Sequence, residues 1–346
     1  VKSDTKGPLT LSGFLNIHKP ANVTSHDVVA RLRRLLGVKQ IGHAGTLDPA
    51  ATGVLVLAVG KATRLLRFLD DDKAYRAEIL LGLTTETDDL EGAEIERRDS
   101  NHLSAESVRA ALATFVGTIS QFPPLYSAIH VSGQRLYDLA RNAGGPEELA
   151  KLKADIPQRT VCVHKIDDVE IDLPVVKATI DCSKGTYIRS IARDLGELLG
   201  VGGTLKSLIR SRSGLFKLSD SKTLEQIQKL KEQGQLEQAL VPVNEALPLP
   251  QLVLTSEQVH KLCLGQKLAL DHESLSHGTA LPTLKPGRMT YVLVRLNKDE
   301  QLHDVLVAAL SEPAIHSDSA AKSTAISLAK GSLVLAPEVV FGNASA

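Results

Sequence analysis

Tryptophan is absent from this 346-residue chain, methionine occurs once, and aromatic residues make up only 3% of it. Its interior must therefore be built from aliphatic side chains, and an apolar fraction of 43% supplies enough of them for a globular core. The length suits two domains. Cysteine is nearly as scarce: Cys162, Cys182 and Cys263 are odd in number and widely spaced. That pattern argues against a disulfide framework or a zinc knuckle and points to a reducing, cytoplasmic setting. No apolar run approaches the roughly 18 residues of a membrane span, so no membrane partner is expected. No charged-then-apolar leader opens the chain, which begins at Val1 rather than Met and so leaves a removed targeting segment open.

An excess of one charge is missing too. Lys and Arg together number 40, as do Asp and Glu, so a formal charge of zero neither demands nor forbids a polyanionic partner. The basic residues do cluster. RLRR (31–34) with Lys39 makes one island, and Lys206, Arg210, Arg212 and Lys217 make another. Each reads first as a solvated face, yet a charge-balanced protein binds RNA when such residues line one groove. No strong oligomerisation signal is present, and a monomer is expected.

LNIHKP (15–20) predicts a strand running into a Pro turn. A helix follows, capped by Thr24 with Asp27 as its box partner, carrying Val28, Val29, Leu32, Leu35 and Leu36 on one face and stopped by Gly37. VLVLAV (54–59) reads as a buried strand, and a helix through Ala62, Leu65, Leu66 and Leu69 comes next. In YRAEILLG (75–82), Tyr75, Ala77, Ile79 and Leu81 share one side of a strand. Another helix is expected from about Ser104 to Phe115; PPLYSA (123–128) is a rigid loop, and HVSGQRLYDLAR (130–141) a hairpin turning into a helix.

VKATIDCS (176–183) predicts a strand that ends at a Gly185 turn. The amphipathic helix TYIRSIARDLGELLG (186–200) comes after it, with Ile188, Ile191, Ala192, Leu195, Leu198 and Leu199 as its apolar face. Arg189 and Arg193, four apart, share another face. Strands and helices interleave without a regular βαβ rhythm, which predicts an α+β fold on a mixed sheet. EALPLPQ (245–251) reads as a linker dividing residues 1–245 from a small β-rich module, 252–346. That module is expected to hold a helix at 254–265, strands near 289–296, 304–310 and 332–336, and a mobile insert around SDSAAKSTA (317–325).

The stretch GHAGTLDPAATG (42–53) sets a single carboxylate, Asp48, among glycines, alanines and a proline. Pro49 biases Asp48 toward extended backbone, and the glycines allow close approach of a ligand. The spacing fits neither a P-loop nor a dinucleotide fingerprint, and an acid at its centre would repel phosphate. For this loop alone, a structural turn capped by Asp is the favoured reading.

The wider pattern goes further. G-H-A-G-T-L-D-P-x-A-T-G-x-L followed by G-K-A-T closely resembles the tRNA pseudouridine synthase B (TruB) family. The resemblance continues in one order through NIHKPANVTSHDVV and KAYRAEILLG, then Thr85, Thr87, Asp89 and Gly92 as T-x-T-x-D-x-x-G. It runs on through PPLYSA, the G-x-R-L-Y-x-L-A-R of 133–141, CSKGTYIRS (182–190) and LIRSRSG (208–214). It departs at His130 and Gln134, where a basic residue is common.

The resemblance implies the pseudouridine synthase fold and an isomerase acting on uridine 55 in the T-loop of tRNA, with no cofactor and no metal. It implies that Asp48 is the catalytic acid, that Tyr75 stacks on the flipped base, and that Tyr187 packs against the uracil and handles a proton. Arg189 would pair with Asp48, Leu208 line the pocket, and His43 fill the space that extruded nucleotides vacate. Lys19, in the KP turn, is counted among the substrate-binding residues, with support of the loop from below as its plainer role. The module after 252 resembles a PUA-like domain, an auxiliary RNA contact, through the spacing of 254–266 and LAPEVVF (335–341). Two rival readings are a tRNA-binding chaperone and a subunit guided by a separate RNA.

Overall fold

The structure, a computed structural model, describes residues 11–127, 129–131, 133–270, 290–298, 301–311 and 333–340. The chain opens with β1 (Gly13–Lys19), α1 (Ser25–Leu36), β2 (Ile41–His43), β3 (Thr52–Val59) and a 3-10 helix, Gly60–Phe68. Strands β4 (Lys73–Leu81), β5 (Leu83–Thr85) and β6 (Glu94–Arg97) lead to α2 (Ala105–Ala113) and β7 (Gly117–Gln121). A hairpin of β8 (His130–Val131) and β9 (Gln134–Arg135) precedes α3 (Leu136–Asn142) and α4 (Pro146–Ala154). Strands β10 (Arg159–Asp172) and β11 (Val175–Cys182), α5 (Ile188–Leu198), β12 (Gly203–Ser213), β13 (Phe216–Lys217), α6 (Leu224–Glu232), β14 (Leu240–Val241) and α7 (Val243–Ala246) complete the larger unit. Beyond it lie β15 (Gln251–Leu254), α8 (Ser256–Cys263), β16 (Leu268–Leu270), β17 (Thr290–Lys298), β18 (Gln301–Ser311) and β19 (Leu333–Val340).

Ten strands form one sheet along the path β14-β1-β3-β12-β4-β11-β10-β7, with β2 beside β3 and β13 beside β12. Its one parallel pair is β12 with β3, at the centre of the sheet. A second sheet runs β15-β17-β18-β19-β16, again with one parallel pair, β15 with β17. The fold is therefore α+β, a mixed sheet carrying helices followed by a β-rich unit.

The uninterrupted apolar run of β3 follows from its place in the layers, since a strand covered on both faces has no polar side to alternate with. Leu55, Leu57 and Val59 join Leu15, Ile17, Ala77, Ile79 and Ile180 in a core that α1 and α5 cover. Val54, Val56 and Ala58 point the other way, into a cluster with Phe14, Leu65, Phe216 and Leu247. Leu293 of β17 and Val307 of β18 belong to that same cluster, so the two sheets share an apolar interface. The opposite faces of β17 and β18 pack with Val259 and Leu262 of α8.

Local signals fared well at α1. Thr24 and Asp27 form the reciprocal capping box, and Gly37 ends the helix in the left-handed region with φ 69°. Tyr75, Ala77, Ile79 and Leu81 are all buried on β4. Four expectations need correction. The segment after β3 winds as a 3-10 helix rather than an α-helix. Leu198 is 58% exposed, because it lies at the edge of the apolar arc that Ile188, Ala192 and Leu195 define, on the last residue of α5. The 245–251 stretch is no free linker: α7 overlaps its start, and Ala246 and Leu247 are buried between the sheets. The island around Arg210 is a solvated face only in part: Lys206 and Lys217 are exposed, but Arg210 is wholly buried and Arg212 pairs with Asp181 at 2.7 Å. The insert 317–325 lies outside the described residues.

Candidate active site

Asp48 sits on the loop joining β2 to β3, and the loop is held through its backbone. Ser25, the first residue of α1, accepts from Leu47 N at 2.9 Å and donates back to Leu47 O at 3.1 Å. Asn22 N donates to Pro49 O at 2.9 Å, and Ala51 N to Asp48 O at 3.1 Å. Two buried cations bind further carbonyls in and beside the loop. Lys19 Nζ donates to Pro49 O (3.0 Å), Pro20 O (2.9 Å) and Val23 O (2.7 Å). Arg210 donates from Nε to Val54 O (2.6 Å) and from its two Nη atoms to Thr46 O (3.3 Å) and Gly45 O (3.2 Å).

Burial lowers the Lys19 pKa to about 8; Asp48 opposes the shift and Arg210 adds to it. Gly53 makes the Arg210 arrangement possible. It lies opposite Arg210 in the parallel β3–β12 pair, with φ 105°, and a Cβ there would collide with the Arg210 carbonyl.

Arg189 of α5 meets the Asp48 carboxylate itself. Its Nη2 donates to Asp48 Oδ1 at 3.2 Å, and Nε lies 3.0 Å from Oδ2 as a charge contact rather than an aligned hydrogen bond. The guanidinium is fixed by Thr87 O and Tyr126 O, each at 3.1 Å. The Arg189 side chain is 6% exposed against 37% for Asp48, so the acid is reachable while its partner is not.

A second acid also meets Arg189: Asp89 Oδ2 lies 3.5 Å from Nη1. The T-x-T-x-D-x-x-G spacing explains how it gets there. Thr85 Oγ1 donates to Asp89 O, Thr87 Oγ1 and Glu91 N donate to Asp89 Oδ1, and a Cβ at Gly92 would collide with Thr87 Oγ1. With one oxygen so engaged and its side chain 12% exposed, Asp89 is poorly placed to activate water. Burial, then Asp89 and Asp48, push the Glu91 carboxyl up.

Tyr187 is the N-cap of α5, and the Gln121 amide grips its backbone, donating to Tyr187 O at 3.0 Å and accepting from Tyr187 N at 2.8 Å. Burial raises the pKa of its phenol, against the pull of Arg159, the Ser127 hydroxyl and Arg189. Tyr75 lies on β4 across from Arg210; burial pushes its phenol up, and the Arg210 guanidinium draws it down. His43 is half-buried at the end of β2, edge-on to His26 with ring centroids 5.5 Å apart. Burial lowers its pKa first, and the charges of His26 and Arg210 add to that. Leu208 is half-buried opposite Ala77 and packs on the core.

Of the residues singled out from sequence, the structure thus joins Asp48 directly to Arg189, Lys19 to the loop carrying Asp48, and Tyr187 to the helix carrying Arg189. Tyr75 reaches the loop through Arg210, whereas His43 pairs with His26 and Leu208 with the core. Sequence reasoning missed Ser25, Gln121 and the buried role of Arg210, which sat in view inside LIRSRSG. Among the described residues, no group of three or more His, Cys, Asp or Glu is arranged to hold a metal ion, and no helix is long and apolar enough to cross a membrane. The arrangement offers one reachable carboxylate, oriented by an arginine on a loop clamped from beneath, which is suited to nucleophilic or ionic assistance at an electron-poor carbon.

Residues 33–188 match the family model of the TruB family pseudouridylate synthase N-terminal domain, and residues 189–248 that of the tRNA pseudouridylate synthase B C-terminal domain. The tRNA pseudouridine synthase B of Trichormus variabilis is 48% identical over 269 residues, covering 77% of this chain and 88% of that protein. The Moorella thermoacetica protein of the same name is 42% identical over 306 residues, covering 87% of this chain and 94% of its own. Among solved structures, a chain of a Cbf5-Nop10-Gar1 complex matches with a TM-score of 0.62 at 28% identity, over 86% of this chain and 78% of that one. A chain of an H/ACA RNP bound to a substrate RNA containing 2'-deoxyuridine matches with a TM-score of 0.61 at 27% identity, over 86% and 77%. Two matched domains in sequence order and relatives aligned over almost their whole length lead to one conclusion: the chain belongs to the TruB family of pseudouridylate synthases, which are isomerases.

Proposed function

We propose that the protein converts uridine 55 in the T-loop of tRNA to pseudouridine, with Asp48 as the single acting carboxylate. The observation that carries this reading is the pairing of a reachable Asp48 with the buried Arg189 on a loop clamped by Lys19 and Arg210. The isomerisation breaks the C1′–N1 bond, turns the uracil and joins C1′ to C5; C5 loses a proton and N1 ends with one. Nothing is gained or lost overall, so no cofactor is required. One carboxylate beside C1′ and C6, as nucleophile or as stabiliser of a cationic sugar carbon, is sufficient. A second free acid would favour attack by water, as in glycoside hydrolysis, and the occupied Asp89 avoids that outcome.

The base must leave its stack to reach Asp48. Tyr75 would stack on it, Tyr187 pack on its other side and handle the proton, and Leu208 line the pocket. His43 would take up the vacated space, and Lys19 hold the loop. Residues 1–245 would form the catalytic domain and 252–346 a PUA-like contact to the body of a tRNA, with the protein working as a monomer in the cytoplasm. The two relatives compared above are 48% and 42% identical over most of the chain, against 27–28% for the chains of the two solved complexes, which favours a stand-alone enzyme over a guided subunit. A chaperone action would be additional to catalysis.

The test is incubation of the protein alone with an unmodified tRNA transcript, followed by pseudouridine mapping. A single new pseudouridine in the T-loop is the expected result. Modification only with an added guide RNA, or at a different loop, would overturn the reading.

A further inference from the structure

Helix α5 reaches the 85–92 loop twice, and only the inner contact belongs to the site above. Arg189 meets Asp89; one turn on, Arg193 meets Asp88. Arg193 Nη1 donates to Asp88 Oδ2 at 2.9 Å, Nη2 to Phe122 O at 3.0 Å, and Nε to Asp194 Oδ1 at 2.9 Å. Phe122 O also accepts from Ser190 Oγ at 2.8 Å. The pair is largely withdrawn from water, with Arg193 19% and Asp88 12% exposed.

Successive side chains of an extended chain point to opposite faces, so Asp88 and Asp89 could not both address one helix from a strand. Asp88 resolves this in its own backbone, which lies in the left-handed region at φ 60°. That conformation is uncommon for any residue with a Cβ, though Asp tolerates it better than most. It is held in place from outside, because Leu205 N of β12 donates to Asp88 O at 2.9 Å. A strained residue that the surroundings enforce is a reason to ask what it serves.

Both arginines grip the same two segments. Arg189 takes Thr87 O and Asp89 from one and Tyr126 O from the other; Arg193 takes Asp88 and Phe122 O from the same pair. We infer that Asp88 and Arg193 are positioning residues, an outer clamp whose ion pair fixes the 85–92 loop against α5 and so sets where Arg189 holds Asp48. Their side-chain hydrogen bonds go to each other, Asp194 and Phe122, so their effect on Asp48 passes through Arg189. The inference rests on the reading of Asp48 as the acting carboxylate.

Asp88→Asn is the informative variant, since Asn keeps the left-handed backbone and removes only the charge. It is compared with Arg193→Gln, Arg193→Lys and the Asp88→Asn/Arg193→Gln double variant in the full-length protein. Single-turnover rate, tRNA affinity and thermal midpoint are measured, beside wild type and Asp48→Asn. A reacting group displaced by about 1 Å loses on the order of 100-fold in rate. Asp88→Asn and Arg193→Gln are therefore expected to slow turnover about 10- to 100-fold with affinity within about threefold, and the double variant to be no slower than the worse single one. Arg193→Lys, which keeps the charge, should recover part of the rate.

A readout that needs no substrate accompanies these: the Nε–H signal of Arg189 by NMR should move or broaden in Asp88→Asn and Arg193→Gln, but not in the exposed control Glu96→Gln. Rates within twofold of wild type beside an inactive Asp48→Asn, or an unmoved Arg189 signal, would overturn the inference. An active Asp48→Asn with a displaced Arg189 signal would instead leave the clamp standing and remove the reading of Asp48.

Discussion

At the scale of single residues, the position of Asp48 is set by two cations that never reach solvent. Lys19 and Arg210 are fully buried, and each is stabilised by backbone carbonyls rather than by a carboxylate. Removing either strips several loop carbonyls of a charged donor, and a hydrogen bond to a charged group contributes about 1.5–3 kcal/mol. Lys19→Met is thus expected to destabilise the protein by about 3 kcal/mol or more at neutral pH, measured by urea unfolding.

The pH dependence of that loss has a definite sign. Burial lowers the Lys19 pKa from 10.5 to about 8, so between those values the unfolded chain holds a proton that the folded chain has released. Stability from this group therefore rises with pH across that window. Relative to Lys19→Met, wild type should gain stability between pH 7.5 and pH 10. A difference that stays constant or shrinks would show that Lys19 keeps its proton.

Secondary-structure elements divide into those legible from sequence and those that tertiary context decides. The capping box of α1 and the alternation of β4 depend on neighbours a few residues away, so Thr24, Asp27 and Tyr75 to Leu81 could be read directly. Thr24→Ala should cost about 1 kcal/mol, as for other lost N-caps. Arg210 could not be read that way. Lys206 and Arg212 nearby make it look like part of a basic surface, and only the pairing of β12 with β3 turns it inward beneath the loop of Asp48.

The pairing of Arg189 with Asp48 was expected from family resemblance, whereas its sharing with Asp89 depends on a loop about 100 residues away in sequence. At the element level the critical position is Gly53. Gly53→Ala would force a side chain into the Arg210 carbonyl at a backbone angle that suits glycine, so a loss of about 2–3 kcal/mol is expected together with reduced turnover. A variant with wild-type unfolding midpoint and rate would show that the two strands can part there without consequence.

For the molecule as a whole, the shared cluster of Phe14, Val54, Val56, Phe216, Leu247, Leu293 and Val307 makes the C-terminal sheet a cover for the catalytic one. Leu293→Ala should cost about 2–5 kcal/mol, and a chain ended near Leu247 should expose the cluster and bind an apolar dye. A fragment with an undiminished unfolding midpoint would mean that the larger sheet does not need that cover.

The central claim is that this whole framework presents Asp48 to one uridine. It is tested most directly by single-turnover conversion of an unmodified tRNA transcript by Asp48→Asn, with affinity measured on the same preparation. Undetectable pseudouridine with affinity within a few-fold of wild type is the expected result. Pseudouridine formed at a rate near wild type would contradict the account, and so would a loss of affinity that tracks the loss of product.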